Sequence, residues 1–595
     1  MSQENEVTAA QAMAGVLREE GVEYIFGVGG GTIFPFMLAA CEQGIGIVHA
    51  RHEQGAAFAA DAYGRSGRRP GVVFLFGGPG FTNACNGIAQ AYYSKSPMVV
   101  FVGQHTTMTD FPGAEAPSYA TEAARRFTKN ATRIIDDRLC ALLTKRAFIE
   151  ARAYPPGPVL LEIPGNLMVV KRPLRQQRGY LPGALRQPPA VGGSDLQAVE
   201  EAVKLLQGAE RPVVVGGEGL WWSDAAAELR ELVELLGVPV ITRRIARGAV
   251  PEDHPLAFCG RVRGAVLNQA DMALLVGLNL GYLEGYGRWG RDVKFIQVQN
   301  SPLGVESNVR TELALIGDFK AVLRQMIEAA RRVGKPSPRR QAWLETIAGL
   351  KKAEDARLAE AAERASGDIP IHPAHLAHEI VEFLDDDATI GFDAFTGSAY
   401  LTERIRSRFQ GQILDTGEWV TVGHGIGMGI GAQLARPGKQ VFIMMGDGGL
   451  GIGGMDVETA VRNNLPVVYL IYNNSSWLAG EVEIYYGDQM RLSDGRPGNP
   501  MLLTDVRYDK LFETFGCHVE HVTEPQGIRP ALERSFASGK TSVINVVMDR
   551  HVYHPMTLRI GAAHRFMDPE KMPEMGRRLA YPELFEKEKE GAAAR

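Results

Sequence analysis

Short apolar, β-branched runs alternate with amphipathic stretches along most of this chain. In the first third, TAAQAMAGVLREEG (8–21) spaces its apolar positions as a helix, while YIFGV (24–28) and GIGIVHA (44–50) suit strands. QGAAFAADAYGRSG (54–67) predicts a small-residue helix, followed by strands at GVVFLF (71–76), PMVVFVG (97–103) and PGPVLLEIP (156–164). Runs bounded by glycine and separated by helical periods imply parallel strands with crossover helices. KRPLRQQRGYLPGALRQPPAVGG (171–193) breaks the pattern with Pro, Gly and Arg and reads as a linker. A second unit follows, with strands at PVVVGG, PVITRR, MALLVG and KFIQV, then a polar connection from RRVGKPSPRRQ into a charged helix around 341–365. A third begins at ATIGFD (388–393), and its last strand is TSVINVVMD (541–549). The expectation is an α/β chain of three doubly wound parallel-sheet domains, 1–185, 186–340 and 341–550, with a C-terminal tail over 551–595. No repeat of 20–50 residues is present, which excludes a solenoid.

Composition narrows the class. The chain has 595 residues, 45% of them apolar and 22% charged, with a net charge of −5. That balance fits a soluble globular protein and gives no basic surplus for nucleic acid. No apolar run approaches the roughly 20 residues of a membrane helix, and MSQENEVTAAQ lacks a secretory pattern. Five scattered cysteines without metal-ligand spacing suggest reduced thiols. A cytoplasmic enzyme is the expectation.

Chemistry concentrates at 441–476, VFIMM-GDGG-LGIGGMDVETAVRNN-LPVVYLIYNN-SS. Its two apolar runs suit parallel neighbours, and Met455, Val457, Ala460 and Val461 suit the inner face of the helix between them. Parallel neighbours lie about 5 Å apart, so Asp447 past one strand end and Asn474 past the other would converge beside a glycine turn. A carboxylate, an amide oxygen and turn N–H groups suit a hard cation held together with a phosphate. Asp, Gly and Asn also end strands without any such role.

GDG followed by Asn-Asn at the end of the next strand resembles the signature of thiamine-diphosphate-dependent enzymes. RHEQGAAFAADAYGR and GGPGFTNACNG resemble their first-domain motifs. The resemblance implies bound thiamine diphosphate and magnesium, with Asp447, Asn474 and the Ser476 carbonyl as metal ligands. It implies that Glu53 hydrogen-bonds the aminopyrimidine and drives proton removal from the thiazolium, coming from the neighbouring subunit of a homodimer or homotetramer. Gly78, Pro79 and Asn83 would line the pyrimidine site. Thr396, Gly397 and Ser398, with Gly446, Gly448 and Gly449, would hold the diphosphate. The Val420 backbone would meet the aminopyrimidine, and Val422 would form the apolar wedge beneath it. A dinucleotide fingerprint at GVGGGT (27–32) is the rival, but it lacks the third spaced glycine and leaves Asp447 and Asn474 unexplained.

Within the acetolactate synthase superfamily, LNLGYLEGYG and VRYDKLFETFG look like the 2-hydroxyacyl-CoA lyase and oxalyl-CoA decarboxylase branch. That implies a carbon–carbon lyase releasing formyl-CoA from an acyl-CoA substrate. Arg261 and Arg263 are candidate contacts for coenzyme A phosphates, and Trp477, Leu478, Tyr485 and Tyr486 for an apolar acyl pocket. Departures are Ala116-Pro117, where relatives carry Gln-Glu, and Gln299, where many carry aspartate. The alternatives are an acetolactate-synthase-like carboligase, a 2-oxoacid or oxalyl-CoA decarboxylase, or a cofactor-binding protein without turnover. The tail, with its apolar anchors and basic groups, is read as a lid or a structural arm.

Overall fold

A computed structural model describes residues 6–110, 113, 115–116, 119–177, 192–290, 292–306, 309–332, 339–393, 395–478 and 501–557. Three parallel sheets carry the fold. The first has six strands in the order Gly46–His49, Tyr24–Val28, Gly71–Phe76, Met98–Gln104, Pro158–Pro164 and Asn130–Arg133. The second has five: Val240–Thr242, Pro212–Gly216, Met272–Val276, Lys294–Gln299 and Thr311–Ile316. The third has six: Ile413–Leu414, Thr389–Asp393, Val441–Gly446, Val468–Asn473, Ser542–Val547 and His518–Val522. Central strands such as Met98–Gln104 and Val468–Asn473 are buried at every residue, which is why they read as unbroken apolar runs.

In the third sheet the chain goes from Thr389–Asp393 outward to Ile413–Leu414, then back across to Val441–Gly446. The winding direction therefore reverses between Thr389–Asp393 and Val441–Gly446. Helices leave those two strands on opposite faces, so a crevice opens beyond their carboxyl ends, the usual ligand position in such sheets. The corresponding crevice of the central sheet is closed. A Cβ at Gly219 would stand 2.6 Å from Phe319 and 2.8 Å from the Gly277 Cα.

The first and third units join through two helices, Glu53–Gly67 and Gly425–Ala435. Both are rich in glycine and alanine, so their backbones touch. A Cβ at Gly431 would lie 1.9 Å from the Ala59 carbonyl oxygen, and one at Gly427 would lie 2.4 Å from that of Gly55. The buried Asp61–Arg65 pair at 2.6 Å sits beside this seam, where Arg65 also donates to the Asp415 carbonyl at 2.6 Å.

Three sequence expectations change. The start of the expected linker is ordered: Lys171–Pro173 pairs antiparallel with Glu6–Thr8. Strands Thr311–Ile316 and His518–Val522 extend sheets beyond the runs read from the sequence. Met455 is exposed, not inward-facing, because the crossover is broken into Asp447–Gly453, a 3-10 turn at Gly454–Asp456, and Val457–Arg462. Each break resets the helical phase. All five cysteines are free thiols.

The seam makes a direct prediction. Gly431→Val should lower unfolding stability by about 1–3 kcal/mol, the usual cost of overpacking. Gly349→Ala, with nothing within 4 Å of its Cβ position, should leave stability unchanged or slightly raised. Thermal unfolding of both variants checks this; equal midpoints would refute the close-packed seam.

Candidate functional site

Val441–Gly446 and Val468–Asn473 are parallel neighbours, with Gly446 opposite Tyr472. Asp447 and Asn474 therefore follow directly on adjacent strand ends. Asp447 Oδ1 accepts the Gly448 N–H at 3.0 Å, whereas the buried Oδ2 has no hydrogen-bond partner among the described residues. Burial pushes this carboxyl up to about 6, against the pull of surrounding backbone N–H groups. Such an oxygen is costly unless something binds it.

The two consecutive asparagines have different fates. Asn473 Nδ2 donates to Asn545 Oδ1 at 3.0 Å and the Val506 carbonyl at 3.1 Å, so it stitches the sheet end. Asn474 lines the cavity. Ser475 turns left-handed (φ 51°), and the Ser475–Trp477 segment is pinned by Leu503 N–H to Ser475 O at 2.8 Å and Trp477 N–H to Met501 O at 3.0 Å.

Asp447, Asn474 and Ser476 share the wall of a cavity of about 600 Å³. Gly446, Gly448 and Gly449 line its turn side, and Thr396 and Ser398 line it from the helix after Thr389–Asp393. Gly397 does not; its Cα faces Tyr472, where a Cβ would come within 2.8 Å of the ring. Val420 and Val422 line the cavity with half-exposed side chains, joined by Trp477 and Leu478. Tyr485 and Tyr486 lie outside the described residues, as does most of the expected lid.

The loop bearing Val420 and Val422 is held from both sides. Asp393 caps it, with Oδ1 accepting the Gly423 N–H at 3.0 Å and Oδ2 accepting that of Gly425 at 2.8 Å. Trp419 stacks on Tyr93 at 4.8 Å and donates to Asn86 Oδ1 at 2.8 Å. Asp393 itself lines the cavity and was missed in the sequence, although it ends a strand just as Asp447 does. Arg243, Arg244 and Arg247 also line the cavity and were also missed.

Arg261 and Arg263 do not line it. Arg261 pairs with Glu403 and reaches His554 at 3.1 Å; Arg263 lies 3.5 Å from Glu284. Glu53 opens the helix Glu53–Gly67, and its Oε2 accepts the Asn83 Nδ2 proton at 3.0 Å. Gly78 and Pro79 start the helix that carries Asn83, and a Cβ at Gly80 would sit 3.3 Å from Glu53 Oε1. None of Glu53, Gly78, Pro79 and Asn83 lines the cavity around Asp447 within this single chain. The Glu53–Asn83 pair and the Asp447 wall thus stand apart in this chain.

Three family models match in chain order: the thiamine pyrophosphate enzyme N-terminal TPP binding domain over residues 7–113, the central domain over 199–326, and the C-terminal TPP binding domain over 396–546. The chain belongs to the thiamine pyrophosphate enzymes. It is similar to a probable acetolactate synthase of Mycobacterium bovis, 34% identical over 559 residues, covering 92% of this chain and 97% of the relative. The 2-hydroxyacyl-CoA lyase 1 of Mus musculus is 28% identical over 556 residues (92% and 95%). The oxalyl-CoA decarboxylase of Escherichia coli is 28% identical over 544 residues (90% and 93%). The chain is thus a thiamine-pyrophosphate-dependent enzyme of the acetolactate synthase superfamily.

The site fits that cofactor. One bare carboxylate oxygen, an amide and a backbone carbonyl would leave a hard cation short of its usual six oxygens, a deficit that diphosphate oxygens and water could fill. Among the described residues no cluster of three His, Cys, Asp or Glu side chains offers a competing metal site. Asp447→Ala should abolish magnesium-dependent binding of thiamine diphosphate while leaving thermal unfolding close to normal. Calorimetric titration with unchanged affinity for both would refute the assignment.

Proposed function

We propose that this thiamine pyrophosphate enzyme is a magnesium-dependent carbon–carbon lyase that cleaves a 2-hydroxyacyl-CoA to formyl-CoA and an aldehyde or ketone. The observation that carries the cofactor half of this reading is the bare, buried Asp447 Oδ2 on the wall of a largely apolar cavity. The substrate half is supported by the full-length similarity to proteins named 2-hydroxyacyl-CoA lyase and oxalyl-CoA decarboxylase, and by the LNLGYLEGYG segment, whose Leu283 lines the cavity. In the overall reaction, the bond between the thioester carbonyl carbon and the carbinol carbon breaks. The hydroxyl proton is released as the carbinol carbon becomes a carbonyl, and a proton returns to the other carbon, giving formyl-CoA.

Thiamine diphosphate, when bound, supplies the carbon nucleophile and the electron sink. Asp447, Asn474 and the Ser476 carbonyl would hold magnesium, and the Gly446–Gly449 turn with Thr396 and Ser398 would take the diphosphate. Glu53 would exchange a proton with the pyrimidine ring through Oε1, while Asn83 orients the carboxylate through Oε2. Val422, Trp477, Leu478 and Met501 would keep water from the reacting carbons. Because Glu53 stands apart from the cavity of its own chain, a two-fold dimer that brings one subunit's Glu53 to the other's Asp447 completes the site.

The 34% identity to proteins named acetolactate synthase favours a second reading, carboligation of 2-oxo acids. Incubating the enzyme with thiamine diphosphate, magnesium and a panel of 2-hydroxyacyl-CoAs and 2-oxo acids separates the two by mass spectrometry. Formyl-CoA supports the lyase; acetolactate or a homologue without formyl-CoA overturns it. A protein that holds cofactor without turnover would give no product from any member.

Glu53→Gln should keep the cofactor bound but slow the reaction by roughly 10²–10⁴-fold, the range for a lost general acid–base group. Hydrogen–deuterium exchange at the thiazolium carbon measures the step directly, and a near-normal exchange rate would rule the role out.

A further inference from the structure

The cavity beside Asp447 has a second charged wall. Strand Val240–Thr242 of the central sheet runs into Arg243 and Arg244, and both line the cavity of about 600 Å³. Successive residues of an extended strand point to opposite sides. Here the alternation is broken, because Arg243 is extended (φ −122°) and Arg244 turns left-handed (φ 57°), uncommon for so large a side chain. The turn delivers two consecutive guanidinium groups to one cavity.

The charges around them are not matched one to one. Arg247, the third arginine on this wall, is satisfied by a bidentate pair with Glu252 at 2.8 and 2.6 Å, and nearby Lys95 pairs with Glu218 at 3.3 Å. Arg243 donates through Nε to Glu284 at 2.8 Å, the carboxylate that Arg263 approaches at 3.5 Å. Arg244 stands 3.6 Å from Asp415, whose Oδ1 already accepts the Gly417 N–H at 3.0 Å and lies 3.9 Å from Arg65. The next acid, Glu418, is exposed and also acts on Arg244. Arg243 and Arg263 thus share Glu284, while Arg244 faces Asp415, with Glu218, Glu284 and Glu418 adding to the field that holds it charged. The repulsion between Arg243 and Arg263 shows at Arg263, which Arg243 and burial push down to about 10.

We propose that Arg243 and Arg244 form a carboxylate-binding subsite of the substrate cavity, so that the acyl group handled beside Asp447 carries a second, terminal carboxylate. This rests on the reading of the cavity as the substrate site of a thiamine pyrophosphate enzyme. The planar guanidinium fork matches a carboxylate, and two forks on one wall can take both of its oxygens. A coenzyme A thioester would present its sulfur end to the cavity, with its phosphates a pantetheine arm away, and the cofactor's diphosphate has its own donors at the Gly446–Gly449 turn with Thr396 and Ser398. A further anion at Arg243 and Arg244 is therefore assigned to the acyl side.

The test uses the full-length enzyme loaded with thiamine diphosphate and magnesium, and probes that lack the 2-hydroxy or 2-oxo group needed for turnover. Calorimetry compares succinyl-CoA with butyryl-CoA, and glutarate with pentanoate. The terminal carboxylate should tighten binding at least tenfold in one pair, and which pair responds shows whether the acyl group arrives as a thioester or a free acid. Arg243→Gln and Arg244→Gln should each erase most of that preference without weakening the neutral probe. Arg243→Lys and Arg244→Lys should keep part of it, which guards against a folding defect. Equal affinities within both pairs, or a preference that survives in both Gln variants, would overturn the subsite. Failure to find formyl-CoA overturns the lyase reading and leaves a measured carboxylate preference standing.

Discussion

The contact on which this structure depends is the backbone-to-backbone approach of helices Glu53–Gly67 and Gly425–Ala435. Hydrophobic burial alone would allow these helices many separations. Glycine at 427 and 431 permits one in which helix backbone meets helix backbone, and that fixes the first unit against the third to within a side-chain thickness. The helices also carry the candidate site residues. Glu53 is the first residue of one, and the Val420–Val422 loop leads into the other under the cap supplied by Asp393. A loose seam would blur both sets of residues at once. Additional ties converge on it: the Arg51 N–H donates to Asp456 Oδ1 at 2.7 Å, and Arg462 reaches the His49 carbonyl at 2.6 Å. These pull the turn before Glu53 onto the crossover that begins at Asp447.

The location of the cavity follows from winding. A parallel sheet must reverse its winding somewhere if helices are to cover both faces, and at the reversal no crossover helix covers the strand ends. In the third sheet that gap falls between Thr389–Asp393 and Val441–Gly446, and Asp447, Gly448 and Gly449, just past the second strand, are small or acidic. In the central sheet the same topological gap is filled by Gly219, Gly277 and Phe319 packed in direct contact. One architecture thus yields an open crevice and a closed one, and the difference is side-chain volume at a few positions. The open crevice then takes its remaining wall from the central unit, through Arg243, Arg244, Arg247 and Leu283.

Much of this was legible in the sequence, for identifiable reasons. Strands buried on both faces leave continuous apolar runs, so all three sheets could be read, and strand neighbours convert a spacing of 27 residues between Asp447 and Asn474 into adjacency. What failed was whatever depends on distant partners. Arg261 looks like an available cation until Glu403, remote in sequence, is found beside it. Nothing local tells Asn473 from Asn474; Asn545 on the neighbouring strand decides which one is tied down. An inward Met455 assumes that the period of Val457–Val461 runs back into Gly454–Asp456, which is a 3-10 turn. Gly397, read as a diphosphate contact, does not line the cavity, and a Cβ there would meet Tyr472.

The separation of Glu53 from Asp447 has an electrostatic consequence. A glutamate that must exchange a proton with a ring nitrogen works best in a dry site, yet a lone ionised carboxylate buried during folding is heavily penalised. In the single chain Glu53 is half-buried, beside an exposed Asn83 that is its hydrogen-bond donor. Each chain can therefore fold without burying it completely. If the second subunit and the cofactor then cover it, desolvation is completed only after a ring nitrogen is present to share the proton. Asp447 differs, because its carboxylate is already buried, with Oδ2 unpartnered among the described residues. On the proposed reading, Glu53 would defer its desolvation to assembly, whereas Asp447 has incurred it on folding.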